Sequence, residues 1–253
     1  MSYIGGKAKG SDHILAILNH HAFDNVDYWE PFVGYGHILR RVRNKKSYRA
    51  SDCNRLLISL LKGVQEGKSY PNISKYQYDA LRFQQDDTTF RRAVAAFAYS
   101  FKGGEWRGYF DVRRGRSYSD EHKRYYDSLY SNDIFQKARL SCADYQKLDP
   151  NHKLIYCDPP YKGTTGYNGG FDFDHETFWE RMREWSADNI VLVSEYRAPR
   201  DFRCVTSCTK LNNLAADGKP EERKERLFVH ESLLPYLTKI IKESNRDFRN
   251  SRR

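Results

Sequence analysis

Leu154-Ile155-Tyr156-Cys157-Asp158-Pro159-Pro160-Tyr161 is the stretch on which the fold turns. Four apolar or aromatic residues stopped by an acid and two prolines read as a short apolar strand. Ligands of open α/β sheets bind outside the carboxyl ends of the strands, where Asp158 to Tyr161 fall. Upstream, Val26 to Phe32 reads as a strand broken by Gly34 and Gly36, with Ile38 and Leu39 starting a helix. Tyr48 to Asp52 is a second strand ended by an acid, and Leu56, Leu57, Leu60, Leu61 and Val64 form one face of a helix stopped at Gly67. Ser11 or Asp12 is placed to cap an earlier helix carrying Ile14, Leu15, Ile17 and Leu18. Downstream, Ala138 to Cys142 and Ile190 to Ser194 read as strands, and Asp174 caps a helix that carries Phe178, Met182 and Trp185. Phe202 to Thr206 and Arg226 to Val229 are late strands. This alternation implies βαβ units and an α/β fold with a parallel sheet.

The alternation stops in the middle of the chain. Phe90, Val94, Phe97 and Phe101 suggest one helix and Asp120 to Tyr130 another, with a polar, basic stretch from Lys102 to Tyr118 between them. Residues 70–136 are therefore expected to be an inserted, mainly helical lobe, dividing the sheet domain into 1–69 and 137–238. Residues 239–253 carry six basic residues against Glu243 and Asp247, and read as a frayed helix or a disordered tail that adds nonspecific attraction.

Composition narrows the partners. The net charge is +10, and cations on a surface suit a polyanion because Lys and Arg release counterions on meeting phosphates, although a generally basic surface is the competing reading. Five cysteines and an opening segment without an apolar core fit free thiols in a reducing, cytoplasmic compartment. Cys204 and Cys208 have no second pair to complete a zinc site, so no metal is expected. The longest apolar run, Leu56 to Leu61, is too short to span a bilayer, so no membrane partner is expected.

The chemistry begins at Asp158. An amine conjugated to a ring attacks a methyl sulfonium only once its lone pair is freed, and acceptors for its two hydrogens encourage that. The Asp158 side chain is one such acceptor and the Pro159 carbonyl another, with Pro159 and Pro160 holding that carbonyl rigidly. Tyr161 can stack on a base swung out of a duplex. A Pro-Pro turn with an incidental Asp and Tyr is the alternative. Upstream, Trp29-Glu30-Pro31-Phe32-Val33-Gly34-Tyr35-Gly36 offers glycines where backbone can approach a cofactor; a GxG alone is more often a turn with no ligand. Asp52 stands 18 residues after Gly34, near the spacing of about 20 at which an acid meets ribose hydroxyls. The full pyrophosphate fingerprint is missing, which suits a nucleoside cofactor without pyrophosphate such as S-adenosylmethionine.

Together these residues resemble the Dam-type family of DNA adenine-N6 methyltransferases, in the alpha order: cofactor motif, inserted lobe, catalytic DPPY. The similarity spans about Tyr3 to Val229 and looks strongest to the bacteriophage and viral branch. Phe101-Lys102-Gly103-Gly104-Glu105-Trp106-Arg107-Gly108-Tyr109, Val193-Ser194-Glu195-Tyr196 and Arg226-Leu227-Phe228-Val229 look like that branch's motifs. The resemblance implies a Rossmann-like S-adenosylmethionine-dependent methyltransferase sheet with an inserted DNA-recognition lobe. It implies that Asp158, Pro159, Pro160 and Tyr161 are catalytic. It assigns cofactor contacts to Tyr3, Gly6 and Lys7 of Tyr3-Ile4-Gly5-Gly6-Lys7, to Glu30, Pro31 and Phe32, to Gly34 and Gly36, to Asp52, to Asp144 and Tyr145, and to Asp158. Lys7 would meet the cofactor carboxylate and Asp52 the ribose hydroxyls.

The partner implied is double-stranded DNA, bound by a monomer in a prokaryotic or virus-infected cell. Lys102, Trp106, Arg107, Arg113, Arg114 and Arg116 are the expected DNA contacts, since cations interleaved with aromatics hold phosphates and Arg pairs with guanine. The asparagine- and arginine-containing hairpin with which cellular Dam enzymes read GATC has no convincing match in Lys102 to Tyr118, and Ser2 stands where they often have Lys. The recognised sequence is therefore not implied. Adenine in RNA, or a non-catalytic DNA-binding protein on the same fold, are the competing functions. Cytosine-C5 chemistry is disfavoured because no Pro-Cys dipeptide occurs.

Overall fold

The computed structural model describes residues 10–84, 88–110, 112–113, 116–162, 173–212 and 221–250, with backbone alone at 112–113, 116, 210–212 and 221–223. In chain order the first elements are α1 (Asp12–Leu18), β1 (Asp27–Glu30), β2 (Ser47–Asp52) and α2 (Arg55–Gln65). The middle carries α3 (Lys75–Phe83), α4 (Phe90–Ala98), a small ribbon of β3 (Val112–Arg113) and β4 (Arg116–Ser117), α5 (Tyr118–Tyr130) and α6 (Asp133–Lys137). The chain then continues through β5 (Arg139–Cys142), β6 (Leu154–Cys157), α7 (His175–Asp188), β7 (Ile190–Glu195), β8 (Phe202–Asn212), β9 (Glu221–His230) and α8 (Leu234–Asn250).

Seven strands form one sheet in the order β5-β2-β1-β6-β7-β9-β8. The first five are parallel, and β9 joins β7 antiparallel, as β8 joins β9. The chain moves from β1 outward to β2 and β5, then returns to lay β6 on the other side of β1, beginning the outward run to β7. The reversal lies between β1 and β6, which makes their carboxyl ends the crevice of a doubly wound sheet.

Strand β6 earns its central place by its side chains, all four fully buried. Leu154 and Tyr156 join the core under α1, α2, α4 and α5, while Ile155 and Cys157 join a second core with Phe178, Met182 and Trp185 of α7. Burying a residue of this size stabilises the fold by roughly 1.5–3 kcal/mol. Helix starts follow their caps: the Asn54 side chain accepts from Leu57 N at 3.0 Å, and Asp174 accepts from Glu176 N and Thr177 N. Ser74 and Gln77 form a reciprocal capping box on α3. Helices α4 and α5 pack on α2, the helix that follows β2, and share its core.

The structure departs from the sequence reading in five places. Ser11 precedes α1 without a side-chain capping bond, its hydroxyl accepting instead from Arg41 Nη1 at 2.9 Å. Ile38 and Leu39 lead only into a 3-10 turn, Leu39–Arg41, because Asn44 takes a left-handed φ of 57° and the chain heads directly for β2. Helix α4 stops at Ala98 rather than running to Phe101, since Ser100 bridges to Tyr109 and Lys102 is left-handed at φ 55°. Strands β8 and β9 are about twice as long as their apolar cores and pair beyond β7. The basic C-terminal segment is a docked helix through residue 250 rather than a loose end. Helix α8 packs along α1, with Glu243 on His20 at 3.0 Å and the Asn245 amide donating to the Val205 carbonyl at 2.9 Å.

Candidate active site

The carboxyl ends of β1 and β2 meet at Asp52 in a cradle of backbone N–H groups. After Glu30 the backbone stays beside β2, with Val33 N donating to Ser51 O at 3.0 Å. It then turns through Gly34 and Gly36, both left-handed at φ 50° and 72°. A Cβ on Gly34 would meet nothing within 4 Å, so the turn needs glycine for its φ while the space outside is open. That turn aims Gly34 N at Asp52 Oδ2, 3.2 Å, and Asn54 N reaches Oδ1 at 3.0 Å. Burial pushes the Asp52 carboxyl up to about 6, and the two amides only partly oppose it. Beside the cradle, Phe32 stands 5.2 Å from Tyr145, 6.1 Å from Phe173 and 5.8 Å from Phe178, ring centre to ring centre. These aromatics make a box open enough that Phe32 and Phe173 stay partly exposed.

One strand further along, β6 ends in Asp158-Pro159-Pro160-Tyr161. Pro159 is buried, while Asp158, Pro160 and Tyr161 are partly exposed. The Tyr161 hydroxyl donates to Glu225 Oε1 of β9 at 3.0 Å, and its ring meets Tyr196 edge-on at 4.8 Å and 82°. Burial, then the negative charges of Asp158 and Glu225, hold the Tyr161 phenol well above its ordinary value, so it is a neutral donor. Glu195, the last residue of β7, accepts from Lys162 N at 3.1 Å and from Tyr196 N at 2.6 Å. Glu30 accepts from the Tyr28 hydroxyl at 3.0 Å. Across the sheet, β2, β1 and β7 finish in Asp52, Glu30 and Glu195, and Asp158 directly follows β6, which makes a row of acids along one edge.

A family model described as D12 class N6 adenine-specific DNA methyltransferase matches residues 3–94 and 95–219, on both sides of the lobe and through it. The chain belongs to the D12 class of N6 adenine-specific DNA methyltransferases. No curated protein matches this D12-class chain in sequence. Solved structures similar to it include the rRNA methyltransferase AviRa of Streptomyces viridochromogenes, 12% identical over 93% of this chain and 91% of that one, TM-score 0.42. A precorrin-6y C5,15-methyltransferase of Geobacter metallireducens is 6% identical over 86% of each chain, TM-score 0.37. An rRNA methylase of Streptococcus thermophilus is 8% identical over 89% of this chain and 99% of that one, TM-score 0.35.

In this D12-class chain the structure brings Glu30, Pro31, Phe32, Gly34, Gly36, Asp52, Asp144, Tyr145 and the Asp158–Tyr161 turn to one edge of the sheet. Asp144 spends one oxygen capping a 3-10 turn at Gln146 N, 3.0 Å, which sets Tyr145 in the aromatic box. Tyr3, Gly6, Lys7 and Arg114 lie outside the described residues, and Arg113 and Arg116 are described by backbone alone. The remaining three expected DNA contacts sit in a compact loop of the lobe. Trp106 packs within the lobe, 5.2 Å from Tyr78 and under the Arg92 guanidinium at 5.1 Å, so most of its ring is taken up there. Arg107 lies across Gly104, and Lys102 stands over the Phe101 ring at 5.3 Å. Lys102 and Trp106 are both left-handed, φ 55° and 51°, a conformation costing about 1–2 kcal/mol per residue.

Two ties join that loop to the cradle, and sequence reasoning found neither. The Asn54 amide donates to Glu105 Oε2 at 2.7 Å, and the Tyr35 hydroxyl donates to the Gly103 carbonyl at 3.1 Å. Glu195 and Glu225 were likewise unassigned. The signal for Glu195 was present, an acid directly after an apolar strand, as at Asp52 and Asp158. Glu225 is followed by Arg226-Leu227-Phe228-Val229, but nothing local says that it faces Tyr161. Among the described residues no helix is long and apolar enough to cross a membrane, and no group of His, Cys, Asp and Glu is arranged to hold a metal ion.

Proposed function

We propose that the chain transfers a methyl group from S-adenosylmethionine to N6 of adenine in duplex DNA, with the base flipped into the pocket at Asp158 to Tyr161. The observation that carries this reading is the placement of Asp52 and Asp158 on one edge at the β1/β6 reversal with a single strand between them. Their strands are about 10 Å apart, a span that a nucleoside joined through sulfur to an amino acid can bridge.

The residues present fit that cofactor. Each Asp52 oxygen accepts one backbone N–H and keeps a lone pair for a ribose hydroxyl. The box of Phe32, Tyr145, Phe173 and Phe178 suits a purine face. Glu30 and Asp158 suit the amino acid ammonium, with Lys7 assigned to its carboxylate. Bound S-adenosylmethionine supplies an electrophilic methyl sulfonium. The Asp158 carboxylate and the Pro159 carbonyl accept the two hydrogens of the target amine, which turns its lone pair out of the ring. The paired prolines keep both acceptors from following the amine, so no reorganisation is needed as the bond forms. Tyr161 stacks on the flipped base, and the proton released after transfer leaves through the partly exposed Asp158. Catalysis is then positioning and electrostatics on a monomer, in the cytoplasm where the duplex is reached, with the lobe reading sequence.

The test is methyl transfer in vitro. The purified chain is incubated with methyl-labelled cofactor and mixed-sequence duplex DNA, and the nucleosides are separated. Label in N6-methyldeoxyadenosine is the expected result, absent for Asp158→Ala. Label in a cytosine, or in RNA alone when RNA is offered in a parallel incubation, would overturn the substrate, and cofactor binding without any transfer would favour a DNA-binding protein.

A further inference from the structure

We infer that Glu225 is a positioning residue, which sets the angle of the Tyr161 ring and so the stacking surface offered to the target base. The inference rests on the reading above that Tyr161 stacks on the flipped adenine, and goes beyond it by naming what aims the ring. Four observations carry it. Glu225 is 3% exposed, on a strand segment that runs past the end of β7 and faces the Pro-Pro turn. Its Oε1 accepts the Tyr161 hydroxyl at 3.0 Å, at the far end of the ring from the backbone. Tyr196 closes one side of the ring edge-on, and its own backbone is fixed by Glu195 at its amide and by the Arg226 guanidinium at its carbonyl. Glu195 also holds Lys162 N, so the residue after Tyr161 is pinned as well.

The arrangement has a physical logic. A tyrosine ring turns about two bonds, and its stacking on a base depends on the plane it presents. The Pro159-Pro160 turn fixes where the ring starts, the Glu225 carboxylate, which shares the phenol with Asp158, fixes where it ends, and Tyr196 prevents rotation to one side. A charge-assisted bond of this kind is among the stronger hydrogen bonds available to a side chain. Burying a carboxylate without such a role is unfavourable, and replacing it with an apolar residue of similar size would be the simpler core.

The test uses the full-length chain and the mixed-sequence duplex of the transfer assay. Glu225→Leu removes the acceptor, Tyr161→Phe removes the donor while keeping the ring, and Glu225→Gln keeps an acceptor oxygen. Glu225→Leu should lower kcat by on the order of 10- to 100-fold with cofactor affinity unchanged. Glu225→Gln should restore most of it. In the Tyr161→Phe background Glu225→Leu should have no further effect, because the bond it breaks is already gone. Should Glu225→Leu not fold, Tyr161→Phe decides, since it removes the donor to Glu225 as well as to Asp158 and must lose at least as much kcat. An active wild type with normal turnover in Tyr161→Phe overturns this inference alone. So does an equal Glu225→Leu loss in both backgrounds, or a Glu225→Gln as poor as Glu225→Leu. A wild type that binds cofactor and methylates no duplex overturns the parent reading and this one with it.

Discussion

Asp52 titrates where two assays can read it with opposite sign. Burial raises its carboxyl from 3.8 to about 6, so the folded chain keeps this proton over a range in which the unfolded chain has lost it. The native state binds more protons there, and stability falls as pH rises from about 4 to about 6 and is level above. A shift of about two units corresponds to roughly 3 kcal/mol, present near pH 4 and gone near pH 8. Asp52→Asn removes that titration. The amide also forfeits one of the two backbone bonds, to Gly34 N or Asn54 N, at about 1–2 kcal/mol, but that loss is the same at every pH. In urea unfolding, the stability of wild type minus that of Asp52→Asn should therefore fall by roughly 2–3 kcal/mol between about pH 4 and pH 8. Cofactor affinity should move the other way, because the ionised carboxylate is the form that accepts two hydroxyls. Calorimetry should find binding about tenfold tighter near pH 7 than near pH 5, following the ionised fraction. A stability difference that stays level with pH would refute the enclosed carboxylate. Titrating stability with level affinity would show that Asp52 is not the hydroxyl acceptor.

Other outcomes follow from the same geometry. Asp158→Ala should reduce methyl transfer by at least about 100-fold while the chain stays folded and cooperative in its thermal melt, because the acceptor is lost from a partly exposed turn. Gly63→Ala should destabilise by about 1–3 kcal/mol in urea despite alanine's better helix propensity, since a Cβ there runs into the Phe90 ring; a gain in stability would contradict the packing of α2 on α4. Neutralising Lys102, Arg107, Arg113, Arg114 and Arg116 together should weaken duplex binding and flatten its salt dependence, and an unchanged salt slope would remove this loop from the interface.

Much of this architecture was legible because the decisive residues are also the most apolar. Leu154 to Cys157 matches β6 in full, and the acid ending Tyr48 to Asp52 lies where the strand ends. Asp174 caps α7 because a carboxylate before a periodic apolar run has little else to do. What stayed hidden depends on contacts remote in sequence. The outer halves of β8 and β9 are polar and carry no alternation, so their pairing past β7 is written in the partner strand. In the C-terminal segment the charges mask a stripe, Leu237, Ile240, Ile241 and Ser244, that turns toward the body of the protein. Lys102 and Trp106 adopt a backbone that their side chains disfavour, which no propensity anticipates. The bonds of Asn54 to Glu105 and of Tyr161 to Glu225 cross 51 and 64 residues, beyond the reach of any local pattern.

Helix α2 belongs to two bodies at once. Its first turn hangs from Asn54, two residues from the carboxylate at the end of β2, while its flank is the floor on which α4 and α5 stand. The segment that carries α4 and α5 is therefore joined through one helix to the turn beside the Asp52 carboxylate. Thermodynamic reciprocity gives that coupling a measurable form: by whatever factor a correct duplex tightens the hold on the methyl donor, the donor tightens the hold on the duplex.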